Sequence, residues 1–177
     1  MMADKKPHGR RPWLDEIQLG GNGQYAYRGS HQKFSGDDNA FRRFRLTLGC
    51  FAACLAGCVV AAGCLNIGKL DNTVWVLVPY MFEVVLTAAF AWSAVRLLLQ
   101  GSVVRSYIFK QTAQRLPVLA VINAAAAGLT LIGAVVCSAM ENSWTAPVIV
   151  YLLLHAAVCT LSLLALKAVK RAAWESV

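Results

Sequence analysis

The chain has 177 residues, of which 58% are hydrophobic and 15% are charged, and its formal net charge is +8. Soluble domains carry roughly 25% charged residues, so this composition excludes a disordered chain and disfavours a soluble globular protein. It predicts a multi-pass membrane protein instead.

Residues 1–45 are basic and precede the first apolar run. We expect this segment to lie in the cytoplasm and to be partly disordered, above all over residues 1–12. Two alternatives stay open for its last part, namely a flexible tail and a short β-hairpin. Gly29 at the first central position of a turn suits a type II′ hairpin, which would place Tyr25 opposite Phe34.

Four apolar stretches follow, and each is long enough to supply the roughly 20 helical residues that a bilayer requires. Because every backbone N–H and C=O must be paired internally in hydrocarbon, each stretch should be a helix. The predicted spans are residues 46–67, 73–99, 117–140 and 145–168. Short connections between the first and second spans, and between the third and fourth, predict antiparallel neighbours. The predicted fold is an all-α membrane domain over residues 46–177, with four antiparallel transmembrane helices in a bundle.

The basic residues predict the orientation of these helices. Sixteen of the 17 Lys and Arg residues lie on one side of the predicted membrane, and Lys69 is the exception. By the positive-inside rule, both termini should be cytoplasmic, and we expect the protein in the plasma membrane. Arg42, Arg43 and Arg45 directly precede the first span and are predicted to anchor it to anionic lipid headgroups. Because the positive charge is spread along one membrane face, a nucleic-acid partner is not expected.

Small residues recur at every fourth position of the first span, at Gly49, Ala53, Gly57 and Ala61. The third span is also rich in small residues, over 124–128. Since small side chains allow close approach of membrane helices, we expect these two helices to pack tightly, either against each other or at a dimer interface.

The six cysteines lie within or beside the spans and form no CxxC pair. Their spacing predicts neither a metal site nor a cofactor, and free thiols that behave as small apolar side chains are the simpler interpretation. A disulfide between Cys64 and Cys137 stays conceivable, because both lie near the outer ends of their spans.

Glu83 is the most informative residue of the sequence. It lies ten residues after the start of the second span, about 15 Å into the membrane, where an ionisable group is costly and is a functional hypothesis by default. His155 lies at the equivalent position of the fourth span, which runs in the same direction. The two side chains should therefore lie at similar depth.

Further polar residues extend this cluster along the predicted helices. They are Tyr80, Thr87, Asn123, Thr130 and Tyr151. One interpretation is an ion-binding or proton-coupled site between helices. The other is a protonated Glu83 that is hydrogen-bonded to His155 or Tyr151 and fixes the register of the helices.

Two classes of function agree with these features. The first is a non-enzymatic accessory or assembly subunit of a membrane complex, with a membrane-protein partner or a second copy of the chain. The alternative is a small oligomeric transporter or channel that uses Glu83 and His155. An enzyme is not expected, because the sequence contains no nucleotide-binding loop, metalloprotease helix or catalytic triad.

The charge distribution generates a test of topology. A reporter fused after Lys69 and one fused after Val177 should report opposite sides of the membrane, because the chain crosses it three times between these positions. Accessibility labelling in intact cells measures the side. The same side for both fusions would contradict the four-span topology.

Overall fold

The computed structural model of the protein describes residues 17–19, 25–27 and 30–177. The helices are α1 (Asp38–Gly63), α2 (Val74–Leu98), α3 (Ser106–Gln111), α4 (Leu116–Glu141) and α5 (Ala146–Arg171). Four of these, namely α1, α2, α4 and α5, are long and apolar enough to cross a membrane. The predicted all-α fold class with four membrane-capable helices is confirmed.

The first helix begins before the predicted span, at Asp38 rather than at residue 46. Asp37 caps it, since the Asp37 carboxylate accepts a hydrogen bond of 2.9 Å from the Ala40 backbone N–H. Asp38 places a negative charge in the first turn, which also favours a helix start there. The predicted span began at residue 46 because the apolar run begins there. The first two turns of α1 are polar, and they extend the helix beyond its apolar part.

Contacts between side chains give the relative directions of the helices. α1 packs against α2 and α5, and α4 packs against the same two helices. The Tyr80 hydroxyl of α2 donates to the Val59 carbonyl of α1, and near the other end of the pair a Cβ on Gly49 would lie 3.6 Å from Leu98. The start of α2, at Tyr80, therefore lies beside the end of α1, at Val59, and the end of α2 lies beside the first half of α1. The two helices are antiparallel neighbours.

Large apolar side chains lie on the surface and ionisable side chains lie in the interior, which is the reverse of the usual arrangement in a soluble protein. Large apolar side chains such as Trp75, Phe82 and Leu153 are 62% or more exposed, whereas Glu83 and His155 are 0% exposed. Exposed apolar residues on all sides of a helical body are costly in water but suit contact with lipid. This distribution agrees with a multi-pass membrane protein.

A three-stranded antiparallel sheet lies at one end of the helices, which we term the sheet end. Its strands are β3 (His31–Phe34), β4 (Val103–Arg105) and β5 (Trp174–Ser176), with β3 between the other two. β3 precedes α1, β4 follows α2, and β5 follows α5, so the sheet ties three parts of the chain together. Backbone hydrogen bonds of 3.0 and 2.8 Å join His31 and Val177 and place these residues at the same end.

The predicted hairpin is wrong. Two further strands, β1 (Ile17–Leu19) and β2 (Tyr25–Tyr27), pair with each other, so Tyr25 lies opposite Leu19. Phe34 lies opposite Trp174 instead. β3 gains a partner on each edge in this arrangement, which stabilises it more than a lone hairpin would. The disorder expected for residues 1–12 concerns a part of the chain outside the described residues.

Aromatic side chains hold the sheet against the helices. Phe34 is 8% exposed and contacts Phe41, Phe44 and Trp174 with ring centroids 5.4 to 5.7 Å apart. Phe109 of α3 contacts the other side of the cluster, 5.3 Å from Trp174. Such pairs stabilise by roughly 0.5–1.5 kcal/mol each beyond their buried area.

The small-residue faces do not meet within the chain. Ala53, Gly57 and Ala61 are exposed, Gly49 is half-buried, and the helices that contact α1 are α2 and α5 rather than α4. The expectation that the first and third spans pack against each other is therefore wrong. The face of α1 that does point inwards carries Leu48, Leu55 and Val59, whose larger side chains fill the interior better, together with Ala52 and Ala62. The other alternative, an interface with another chain, stays a prediction.

A glycine of α4 lies against the turn of α2 that precedes Pro79. Pro79 has no N–H, so the Trp75 carbonyl of α2 lacks its usual helical partner. A Cβ built on Gly133 of α4 would lie 2.6 Å from that carbonyl oxygen. The absence of a side chain at Gly133 thus allows the two backbones to pack here.

This close approach predicts a difference between two glycines of the same helix. Gly133→Ala should destabilise the protein by roughly 1–3 kcal/mol, because the methyl group would collide with backbone that cannot move freely. Gly128→Ala is the matched control, since a Cβ there meets nothing within 4 Å, and it should be neutral or stabilise by up to about 1 kcal/mol. Unfolding in detergent micelles measures both, and equal effects would contradict the close contact.

Candidate functional site

Glu83 and His155 meet in the centre of the helices. His155 Nδ1 lies 2.9 Å from Glu83 Oε2 and 3.1 Å from Oε1. Both side chains are 0% exposed. The contact joins α2 and α5, each of which packs along α1 and α4, so the pair bridges the interior between those two helices.

The helix positions explain why these two side chains meet. Tyr80 lies three residues before Glu83, and Tyr151 lies four residues before His155, so each tyrosine occupies the same helical face as its partner. The Tyr80 and Tyr151 rings are 6.4 Å apart. α2 and α5 therefore run in the same direction at this point, and residues at equal depth meet.

A hydroxyl group from α4 completes the surroundings of the carboxyl group. Thr130 Oγ1 lies 3.3 Å from Glu83 Oε2 and 3.0 Å from the Ala126 carbonyl of its own helix. Its single proton can serve one of these acceptors at a time. Three helices thus contribute polar atoms to one point of the core.

A second polar layer lies nearer the sheet end, one helical turn along α2 and about two turns along α4 and α5. Thr87 Oγ1 donates to Asn123 Oδ1 over 3.2 Å, and Asn123 Nδ2 donates to Ser162 Oγ over 3.1 Å. Thr87 is 3% exposed, Asn123 1% and Ser162 0%. This layer joins α2, α4 and α5, the same three helices as the layer above it.

Ser162 is the member that the sequence analysis missed. It lies seven residues after His155, which is close to two full helical turns. Extending the polar face of α5 from His155 by this step would have found it. Cys159, one turn after His155 on the same face, is only partly buried.

Two tyrosines cover the pair on the side away from the sheet. The Tyr151 ring lies 4.3 Å from the His155 ring, and the Tyr80 ring lies 5.8 Å from it at an angle of 89°. The Tyr80 hydroxyl donates to the Val59 carbonyl over 3.1 Å. A side chain at Gly63 would collide with this hydroxyl, so Gly63 allows the tyrosine to reach α1.

The pair carries no net charge when it holds two protons. Either Glu83 is protonated beside a neutral imidazole, or a carboxylate faces an imidazolium. Loss of one proton would leave a net negative charge in a dry interior, which costs several kcal/mol. His155 Nε2 bears a hydrogen when the imidazole is charged or when Nδ1 accepts the carboxyl proton. This atom is buried without a hydrogen-bond partner in the described part of the chain.

The three arginines predicted to contact headgroups lie in the first turns of α1. Arg42, Arg43 and Arg45 are exposed, and the Arg45 guanidinium lies 5.8 Å from the centroid of the Phe41 ring. Arg42 and Arg45 also line a surface groove of about 530 Å³ whose floor includes Gly49 and Ala53. They are placed well apart from the buried cluster.

The cysteines are free thiols, and Cys64 and Cys137 are among them. Cys50, Cys54 and Cys64 lie on the exposed surface of α1 or at its end. Among the side chains that the structure describes, no group of three His, Cys, Asp or Glu residues could hold a metal ion.

Comparison with known proteins gives no match: no protein-family model, curated protein or solved structure is significantly similar to this chain.

Two substitutions of Glu83 separate its hydrogen bonds from its ionisation. If the cluster is structural, Glu83→Gln should change the unfolding free energy by less than about 1 kcal/mol, because an amide and a protonated carboxyl group make similar hydrogen bonds. Glu83→Leu should destabilise by roughly 1–3 kcal/mol, since it leaves His155 Nδ1 without its carboxyl partner.

The control is Glu141, an exposed carboxyl group at the end of α4. Glu141→Gln and Glu141→Leu should both be nearly neutral in the same unfolding measurement. A Glu83→Leu variant as stable as the parent protein would contradict a stabilising contact with His155.

Proposed function

We propose that the protein is a non-enzymatic integral membrane protein that serves as an accessory or assembly subunit of a membrane complex. In this proposal the buried polar cluster holds the helices in register, and the outer face of α1 receives a transmembrane helix of the partner. The observation that carries the proposal is the complete burial of Glu83 and His155.

Burial matters because a transport site must be reached by water or ions from at least one side of the membrane. Glu83 and His155 face each other at hydrogen-bond distance, and Thr130 Oγ1 approaches Oε2, the carboxyl oxygen that also lies nearest His155. Polar side chains of this kind often act as contacts between membrane helices without further chemistry. The arrangement therefore supports a structural role for the cluster.

The outer face of α1 supports the second part of the proposal. Ala53, Gly57 and Ala61 leave the backbone of the helix exposed, and a Cβ on Gly57 would meet nothing within 4 Å. Small residues of this kind let a second helix approach closely. The groove of about 530 Å³ beside Gly49 and Ala53 has Arg42 and Arg45 at its mouth, which suits a partner helix with an acidic residue at the same depth.

The alternative is a small transporter or channel that uses the same pair, and one observation favours it. His155 Nε2 is buried without a partner, so a proton on this atom is available to a group that reaches it. A cavity of about 220 Å³ at the other end of the helices is lined by Tyr80 and Tyr151, the two rings that contact His155. A movement of these rings would open a path from the cavity to the pair.

Substitutions on the outer face of α1 test the accessory role. Ala53→Leu should release a partner that co-purifies with the parent protein in mild detergent, because the leucine side chain fills the groove. Ala88→Leu is the matched control, since it makes the same change at an exposed position of α2, and it should retain the partner. Size-exclusion chromatography with mass spectrometry measures both.

Three outcomes would contradict the accessory role. They are a parent protein that stays a single chain after extraction, equal loss of the partner in both variants, and transport activity that Glu83→Gln abolishes while the fold persists. The last outcome would support the transporter.

A further inference from the structure

A second cavity, of about 260 Å³, lies between α2, α3 and α4 near the sheet end. Apart from Thr112, whose hydroxyl group donates to the Ile108 carbonyl, its polar lining comes from Ser93 and Arg96 on α2, Gln111 on α3 and Arg115 at the start of α4. Two guanidinium groups from different helices therefore flank one space at the level where these helices begin or end. None of these four residues belongs to the Glu83 cluster.

The Arg96 side chain is held in place at the cavity. It is half-buried, and one of its terminal nitrogens donates to Gln111 Oε1 over 2.9 Å. A guanidinium group has five N–H donors, so this contact leaves others for a ligand. Within the part of the chain that the structure describes, neither Arg96 nor Arg115 has a carboxylate within 4.0 Å, and the positive charge at the cavity is not compensated.

Ser93 adds a hydroxyl group to the same cavity. Its side chain is only 8% exposed and lines this space beside Arg96. A hydroxyl group can donate one hydrogen bond, so a bound group with acceptor oxygens could accept from Ser93 as well as from the two arginines.

We propose that this cavity binds the phosphate of an anionic phospholipid. Phosphate oxygens match the fork of N–H donors on a guanidinium group and form charge-assisted hydrogen bonds with it. A lipid is favoured over a free ion because Trp92, which also lines the cavity, is 71% exposed on the outer face of α2. Tryptophan at such a position lies at the headgroup level of a membrane, and Leu119 offers an apolar surface for the start of an acyl chain.

The proposal is independent of the accessory role, since the cavity lies on α2, α3 and α4 rather than on the outer face of α1. It also differs from a general attraction of basic residues to a negative surface. Headgroup attraction acts on every exposed cation, whereas a site formed by Arg96, Arg115 and Ser93 should depend on those residues alone.

Native mass spectrometry of the detergent-solubilised full chain tests the site. The probes are phosphatidylglycerol, phosphatidylcholine and inorganic phosphate. Phosphatidylglycerol should bind best, and Arg96→Gln and Arg115→Gln should each weaken its binding about tenfold or more. Ser93→Ala should weaken it less, and it preserves the fold because it removes one oxygen atom. Arg171→Gln makes the same charge change at an exposed position of α5 and should leave binding unchanged.

Several results would overturn the proposal. If inorganic phosphate alone occupies the site at the same concentration, the site takes a free anion. If phosphatidylcholine binds as well as phosphatidylglycerol, or if Arg171→Gln weakens binding as much as Arg115→Gln, the lipid is attracted only in a general way. Unfolding curves for each variant separate lost binding from lost structure.

Discussion

A carboxyl group in the middle of a hydrocarbon layer must have a polar partner, and the rest of this structure is arranged around that constraint. Glu83 has no access to solvent, and its nearest partner is His155 at 2.9 Å. An unpaired ionised group at this depth costs several kcal/mol or more. The helices can pack only in a register that brings α2 and α5 to the same depth at these two residues.

The close contacts on both sides of the pair follow from that register. On one side, Gly133 lies against the Trp75 carbonyl that Pro79 leaves unpaired, so α4 comes close to α2. On another, Gly63 makes room for the Tyr80 hydroxyl to reach α1. These small residues act by allowing polar groups to reach partners, which in a membrane matters as much as the packing of apolar surfaces.

The helices and the central pair could be predicted because their signals are local. The length of each apolar run sets a membrane span, and equal distances from the starts of two parallel spans place Glu83 beside His155. The pairing of β3 could not be predicted in this way, because its partners β4 and β5 lie about 70 and 140 residues away and no local turn signal encodes them.

The sequence pattern also does not predict which face of α1 points into the interior. Small residues at every fourth position identify a face that permits close approach, but they do not say which neighbour occupies it. Larger residues on the opposite face, such as Leu48 and Leu55, were the better guide to the interior, since they fill it at 1% exposure. Ser162 was missed because a serine in an apolar helix carries little signal until its distance from His155 is considered.

Glu83 and His155 stabilise the fold by their contact with each other, and a double-mutant cycle measures this coupling. The unfolding free energy would be measured for the parent protein, Glu83→Leu, His155→Leu and the double variant. We expect the loss of unfolding free energy in the double variant to be about 0.5–3 kcal/mol smaller than the sum of the losses in the two single variants. The reason is that removal of both partners leaves no unpaired polar group. Additive effects of the two substitutions would contradict this coupling.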